Sequence, residues 1–496
     1  MKFRFFRAAR FSTLAAVLTT AIAGAPHLYA QTPSQSTPSV ANIPRTITLD
    51  EAIKEAIARN YTVRNSGNLA KIDSIEVTRS VDNAWLPSAA ASGSWRYDYS
   101  LEPVSARTLS ALQTTQTEVQ TTTGDSLFVR GVALNAPVVQ VITPAGSHSL
   151  NWDASASYNI FHGGSDVARI HQSESSEGAS GNTFTWTRQK IAFTVTGDFL
   201  NVLRTSELLV AADSTLIEGL AQLRLVQGQF QAGVVPIGNV YQQQAVVSQD
   251  SLALIQAQNN NENAKTTVLF DINVPPNEYA NYTFSAAGID TSTSPAVRAA
   301  VDTTITDAQL NDVINKRPDI LSQTQNIQAA GYAIDITRGA LLPSLDASAG
   351  IGGSGSGTDL FHIPMENGIN VGLTLTVPIF DKMQNRLLIQ EQEVDVENQR
   401  IILEQDVQQL RSDAAQAINN LKSADLALDA GQSALTSADE SFRLAAERFR
   451  VGAGTEVDVI IAEAAVETAR TNWVNAKFNW VLAQRQLAYT LGEWNY

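Results

Sequence analysis

The sequence predicts an α+β chain in which long coiled-coil helices carry short amphipathic strands, the whole design being used twice. Three observations predict it. Landmark residues recur at fixed spacings, four segments alternate apolar with polar residues, and seven-residue apolar stripes outrun any ordinary helix.

The first 30 residues read as a secretory signal. Lys2, Arg4, Arg7 and Arg10 make a basic start, and the apolar run from Ser12 to Ala25 is too short for a stable spanning helix. Cleavage after Ala30 removes four positive charges and no negative one, which takes the net charge from −15 to −19. A chain this acidic does not hold nucleic acid through phosphate contacts. The absence of cysteine excludes disulfides, thiolate metal sites and a lipid anchor on an amino-terminal cysteine. No later segment reaches 18 uninterrupted apolar residues. These features fit an exported bacterial envelope protein.

Residues 31–45 are rich in Ser, Thr and Pro and predict a flexible lead-in. Thr48-Leu49-Asp50-Glu51 is a capping box that opens a helix, and Thr306-Asp307-Ala308-Gln309 repeats it near mid-chain. Each helix is expected to run to a Leu-Pro-Ser stop, at residues 86–88 and 342–344, a spacing of 256. Phe161 and Phe380 repeat at 219, as do Phe230-Gln-Ala-Gly233 and Phe449-Arg-Val-Gly452. The segment between these landmarks is 69 residues in both copies, so the 37-residue difference falls before Phe161, in a variable loop. The expected division is 46–270 for the first copy, 271–305 for a Pro- and Ser-rich connector, and 306–496 for the second.

After each stop the pattern switches to period two, which predicts strands at about 88–101, 150–161, 344–353 and 369–380. Trp95, Tyr97, Tyr99, Trp152, Tyr158, Val371, Leu373 and Leu375 fall on the apolar phase of these runs. Each run has about the length of a tilted strand crossing a bilayer, roughly 9–11 residues. Four strands cannot close a barrel, and open edges are not tolerated in lipid. If these strands span, several copies must share one barrel. A soluble sheet packed on a helix is the plain alternative.

From about Asn385 to Phe449 there is no proline and one glycine, Gly431. Val407, Ala414, Leu421, Leu428, Leu435, Phe442 and Phe449 step by seven, and Val195, Val202, Leu209, Leu216, Leu223 and Phe230 do so in the first copy. Such heptads predict coiled-coil helices of ~100 Å at ~1.5 Å per residue. The return segments, and the expected helix from Thr306 to Leu342, are about half as long, so two short helices stacked end to end match one long one.

These residues together resemble the TolC-like outer-membrane efflux family over nearly all of the mature chain. The matching pieces are Thr48-Leu49-Asp50-Glu51-Ala52, both Leu-Pro-Ser stops, Arg317-Pro318-Asp319-Ile320 and the paired tips. The resemblance implies an α+β membrane protein of two structural repeats, each a periplasmic coiled-coil hairpin plus a two-stranded transmembrane β-hairpin. It implies a homotrimer, with a 12-stranded β-barrel in outer-membrane lipid standing on a 12-helix α-barrel across the periplasm. It implies a passive channel and not an enzyme, without cofactors. Its partners would be a periplasmic adaptor (membrane fusion) protein and an inner-membrane pump of RND, ABC or MFS type. Drug efflux, metal efflux and protein secretion all stay open.

The family also implies functional tips. Phe230, Gly233, Val234, Phe449, Gly452 and Thr455 would dock the adaptor, and Asp458, Glu456, Asn239 and Ile461 would form the periplasmic constriction. Better-known members carry acidic rings and polar links there. Here Asp458 keeps one acidic position, Ile461 stands where a second would be, and Asn239 replaces a typical aspartate. No acidic residue lies between Glu218 and Asp250. The expectation is a gate with few charged latches, held in part by packing of Phe230 and Phe449. The plain reading of Glu456, Asp458, Glu463 and Glu467 is a solvated helix face.

Two functional signals fail on context. Gly350-Ile-Gly-Gly-Ser-Gly355 has the letters of a dinucleotide fingerprint but no helix after it, and predicts a flexible surface loop. His148, His162, His171 and His362 lack zinc-site spacing, and no Gly-Lys-Ser/Thr phosphate loop occurs. The rival function from another class is a periplasmic coiled-coil scaffold or adaptor without a transmembrane barrel. A stand-alone porin leaves the long helices without a purpose.

Overall fold

The computed structural model describes residues 45–99, 146–287, 298 and 306–493, with the backbone of four short strands within 107–140. The expected signal, the lead-in up to residue 44 and much of the connector lie outside the described residues.

Two helices dominate. α3 (Ser165–Gln231) and α7 (Gln384–Arg450) are each 67 residues long, and their starts differ by 219 positions. Their return helices, α4 (Ile237–Asp271) and α8 (Glu456–Thr490), are each 35 residues long with the same offset. The other half of each long helix is covered by shorter pieces. α1 (Leu49–Arg59) and α2 (Tyr61–Trp85) pack on α3, and α6 (Pro318–Gly339), preceded by α5 (Asp307–Lys316), packs between α3 and α7.

The unbroken helices expected from each capping box to its Leu-Pro-Ser stop are in fact both divided. Pro318 lacks an N–H and forces the preceding Arg317 into an extended conformation (φ −71°, ψ 128°), so α5 ends there. In the first copy Asn60 makes the break. Its side chain accepts from Thr62 N at 2.8 Å and donates to Asp271 O at 2.9 Å, capping a new helix and tying it to the end of α4.

Arg317 then serves as a bolt. The buried guanidinium holds Asp319 (Nε to Oδ1, 2.9 Å), donates to Thr490 O at 3.1 Å, and lies 4.4 Å over the Trp186 ring. It joins α6, α8 and α3 at one point. The main core sits near this level. Ile47 and Ile53 meet Phe199, Val202, Val268, Leu421 and Trp480, so α1, α3, α4, α7 and α8 share one apolar cluster. The connector supplies a short 3₁₀ turn and β8 (Tyr282–Phe284), which pairs in parallel with β1 (Arg45–Ile47).

The main sheet has four antiparallel strands in the order β10-β9-β7-β2. They are β2 (Ser88–Tyr99), β7 (Gly146–His162), β9 (Ser344–Gly357) and β10 (Glu366–Thr376). Within the first-copy loop lie β3 (Arg107–Leu109), β4 (Gln113–Gln120), β5 (Ser126–Ala133) and β6 (Val138–Gln140), paired β3 with β6 and β4 with β5.

Two strand expectations change. β10 stops at Thr376 and not at Phe380, because Pro378 cannot donate to a ladder. The glycine run at 350–355 is not a loop but the middle of β9. Glycine there accommodates a close neighbour: a Cβ at Gly353 would stand 2.5 Å from Trp152 Nε1.

Candidate functional site

The register sorts the sheet into two faces. Ile369, Val371, Leu373 and Leu375 of β10 oppose Ile351, Ala349, Ala347 and Leu345 of β9. These continue onto Ala154, Ala156 and Tyr158 of β7, with Trp152 opposite Gly353. Trp152 and Leu150 in turn oppose Gly93 and Trp95 of β2, and Tyr97 and Tyr99 follow in the same phase. All eight residues singled out for the apolar phase therefore share one face. That face is bare: Val371 is 81% and Leu373 71% exposed. The other face carries Ser92, Ser94, Arg96, Asp153, Ser155, Ser348, Asn370 and Thr374. β2 and β10 have no partner on their outer edges among the described residues. An aromatic group closes one end of the apolar face, where His148 stacks on Trp95 and meets Tyr97 at a tilt.

At the far ends of the long helices, the two turns are built alike. Gly233 (φ 75°) and Gly452 (φ 73°) are left-handed. Gly233 N donates to Phe230 O at 2.9 Å and Val234 N to Gln229 O at 2.8 Å. Gly452 N donates to Phe449 O at 3.0 Å and Ala453 N to Arg448 O at 2.8 Å. Both are Schellman turns, which need glycine for its backbone and not for lack of space.

The tip residues divide by burial. Val234 and Ile461 are exposed. Phe449 is buried (6% exposed) with Val226 of α3 and Val459 of α8, whereas Phe230 is 41% exposed and lies outside that cluster. Within the chain Phe449 packs at the tip, and Phe230 does not join that cluster. The first hairpin meets the second through Val226, and the face bearing Phe230 is turned away.

Thr455 and Asp458 form a capping box at the start of α8. Thr455 Oγ1 accepts from Asp458 N (3.2 Å), while Asp458 Oδ2 accepts from Thr455 N (3.1 Å) and Thr455 Oγ1 (2.8 Å). These bonds hold the exposed Asp458 carboxyl below its ordinary range. This local role was legible as a Thr-x-x-Asp pattern. Glu456 is not solvated as a helix-face reading expects. It is 2% exposed, it faces Asn239 of α4 without a hydrogen bond of normal geometry, and burial raises its pKa. Glu463 is likewise buried, while Glu467 is exposed. The structure therefore brings Asn239 and Glu456 together across the two hairpins and leaves Asp458 and Ile461 outside. Among the described residues no group of side chains could hold a metal ion, and no helix is long and apolar enough to cross a membrane.

Residues 310–493 match the outer membrane efflux protein family. No curated protein matches the chain in sequence. Solved structures share the fold at low identity. CusC, described for the folding and formation of a transmembrane channel, is 16% identical, with TM-score 0.68 over 89% of this chain and 91% of its own. The CmeC outer membrane channel of Campylobacter jejuni is 17% identical, with TM-score 0.68 over 90% of this chain and 85% of its own. The open state of the MtrE outer membrane channel of Neisseria gonorrhoeae is 18% identical, with TM-score 0.63 over 92% of this chain and 93% of its own.

Proposed function

We propose that this chain, an outer membrane efflux protein by its residues 310–493 and by its fold, is the passive exit duct of a tripartite efflux or type I secretion system. One observation carries the reading: a four-stranded sheet with a bare apolar face on one side, a polar face on the other and, among the described residues, two unpaired edges. Lipid is the solvent that such an apolar face fits, and a closed ring is the only form that leaves no free edge there. Three copies supply twelve strands, enough for an aqueous lumen lined by the polar face. A periplasmic scaffold gives that face nothing to do.

In this reading residues 46–270 and 306–496 are two copies of one repeat, joined by 271–305, and residues 1–30 are removed on export. The ~100 Å helices cross the periplasm as an α-barrel. An adaptor protein docks on the tips through the exposed Phe230 and Val234, with Gly233, Gly452 and Thr455 fixing their shape and Phe449 packing beneath. An inner-membrane pump supplies the energy and the choice of cargo. Asp458, Glu456, Asn239 and Ile461 stand near the constriction, where three ionised Asp458 carboxylates would favour cations. Chemical cross-linking and planar-bilayer recording of the detergent-purified protein test the reading. Trimers with a cation-preferring conductance are expected, and a water-soluble monomer overturns it.

A further inference from the structure

The seam between the first hairpin (α3, α4) and the second (α7, α8) has an acidic stretch above its apolar tip. Asp250 of α4 and Glu463 of α8 are 7% and 8% exposed, yet Asp250 Oδ2 and Glu463 Oε2 have no hydrogen-bond partner. The exposed Glu218 of α3 and Glu467 of α8 flank them. Gly219 lets Asp250 press against α3: a Cβ there would stand 2.6 Å from its Oδ2. Gln243, fully buried on α4, reaches Gly219 O with its Nε2 at 3.5 Å and leaves its own Oε1 unpartnered.

Cations do not balance this group. Asp250 is the single charged residue of α4 before Glu262. On α3 the nearest base, Arg224, is exposed. On α8 Arg470 points to Asp439 of α7 at 4.0 Å, and Arg443 of α7 holds Glu440. Burial pushes Asp250 up to about 6, helped by Glu467. Burial pushes Glu463 up to about 7, helped by Asp250, Glu218 and Glu467. Elsewhere the seam is joined by neutral or matched pairs, Arg204 with Asn475 (2.8 Å) and Lys477 with Glu207 (2.7 Å).

We propose that Asp250 and Glu463 form a proton-dependent clasp between the two hairpins: protonated, they lie together and keep the seam closed; ionised, they drive α8 away from α3 and α4 and loosen the tips. The sign follows from linkage. The folded chain keeps protons that the unfolded chain has already released, so the closed seam is most stable below the ordinary carboxylate range. It loses stability as pH rises from about 4 to about 7. The effect on channel opening rests on the exit-duct reading; the clasp itself does not.

The test compares the purified full-length protein with the double variant Asp250→Asn/Glu463→Gln, whose amides imitate the protonated state. The wild-type Tm is expected to fall between about pH 4 and about pH 7, and the variant Tm to fall by clearly less, the remainder coming from the half-buried Asp271, which is pushed up to about 7. The single variant Glu467→Gln removes a neighbour that raises both carboxyls, so its Tm fall is expected to be smaller and to end at lower pH than that of the wild type. In planar bilayers the wild-type open probability is expected to rise several-fold over the same window, and that of the double variant to stay flat. Equal Tm falls in wild type and double variant overturn the clasp. A level wild-type conductance beside the expected Tm difference overturns its coupling to opening. Absence of any conductance in both proteins overturns the exit-duct reading and leaves the Tm comparison to decide the clasp.

Discussion

Trp152 lies across Gly353 on the apolar face of the sheet, its indole nitrogen 2.5 Å from where a Cβ at residue 353 would stand. Asn367 crowds the same space from β10, at 2.2 Å. Gly353→Val therefore displaces the indole and disturbs the β7–β9 pairing, at roughly 1–3 kcal/mol by overpacking. Indole fluorescence and heat resistance of the purified protein report it. Unaltered resistance and emission would show that the close approach is not structural.

The two sheet faces respond oppositely to charge. Leu373→Arg places a guanidinium on the apolar face and costs about 2–4 kcal/mol near a bilayer midplane, while Thr374→Arg, one residue on, points to the polar side. Outer-membrane yield of the two variants checks this. Equal yields contradict the lipid assignment of the face.

The capping box separates structure from selectivity at the tip. Thr455→Ala removes the cap, worth about 1 kcal/mol, but keeps the Asp458 charge. Asp458→Asn loses one capping partner and the charge. Reversal potentials in salt gradients are expected to shift for Asp458→Asn alone. A shift of the same size in Thr455→Ala would assign the selectivity to tip geometry and not to a carboxylate ring.

Gly452→Val forces a β-branched residue into the left-handed region at φ 73° and costs about 1–2 kcal/mol. If the tips dock an adaptor as proposed, its capture in a pull-down is expected to weaken while the proposed trimer forms normally. Loss of the oligomer itself would place the damage beyond the tip.

Arg317→Lys keeps the charge but loses the fork that serves Asp319, Thr490 O and Trp186 together. A loss of stability of the order of 1–3 kcal/mol is expected, read as a lower Tm, with channel selectivity unchanged. An unchanged Tm would show that a point charge suffices at this junction.

Much of this was legible in the chain. The seven-residue stripe ending at Phe449 set the length of α7, because a heptad seam can be satisfied only by a continuous helix. The alternation from Ile369 to Leu375 assigned the faces of β10, because a strand's side chains change side at every residue. The tip glycines were legible because a left-handed turn between helices admits little else. The expected helix from Thr306 to Leu342 rested on its two ends, the capping box and the Leu-Pro-Ser stop, and so passed over the break that Pro318 makes at Arg317. The Gly350–Gly355 run was misread because glycine alone does not say whether it frees a loop or makes room for a neighbour; Trp152, 201 residues before Gly353, decides that.

What the sequence determined by itself is periodic and local: helix lengths, strand phases, caps and turns, each fixed by residues close along the chain. What only the tertiary structure decided is which faces meet. It buried Phe449 and exposed Phe230 at equivalent places in two matching tips, and it brought Asp250 and Glu463 together from different hairpins. Burial and charge repulsion depend on neighbours distant in sequence, and one chain read along its length does not contain those distances.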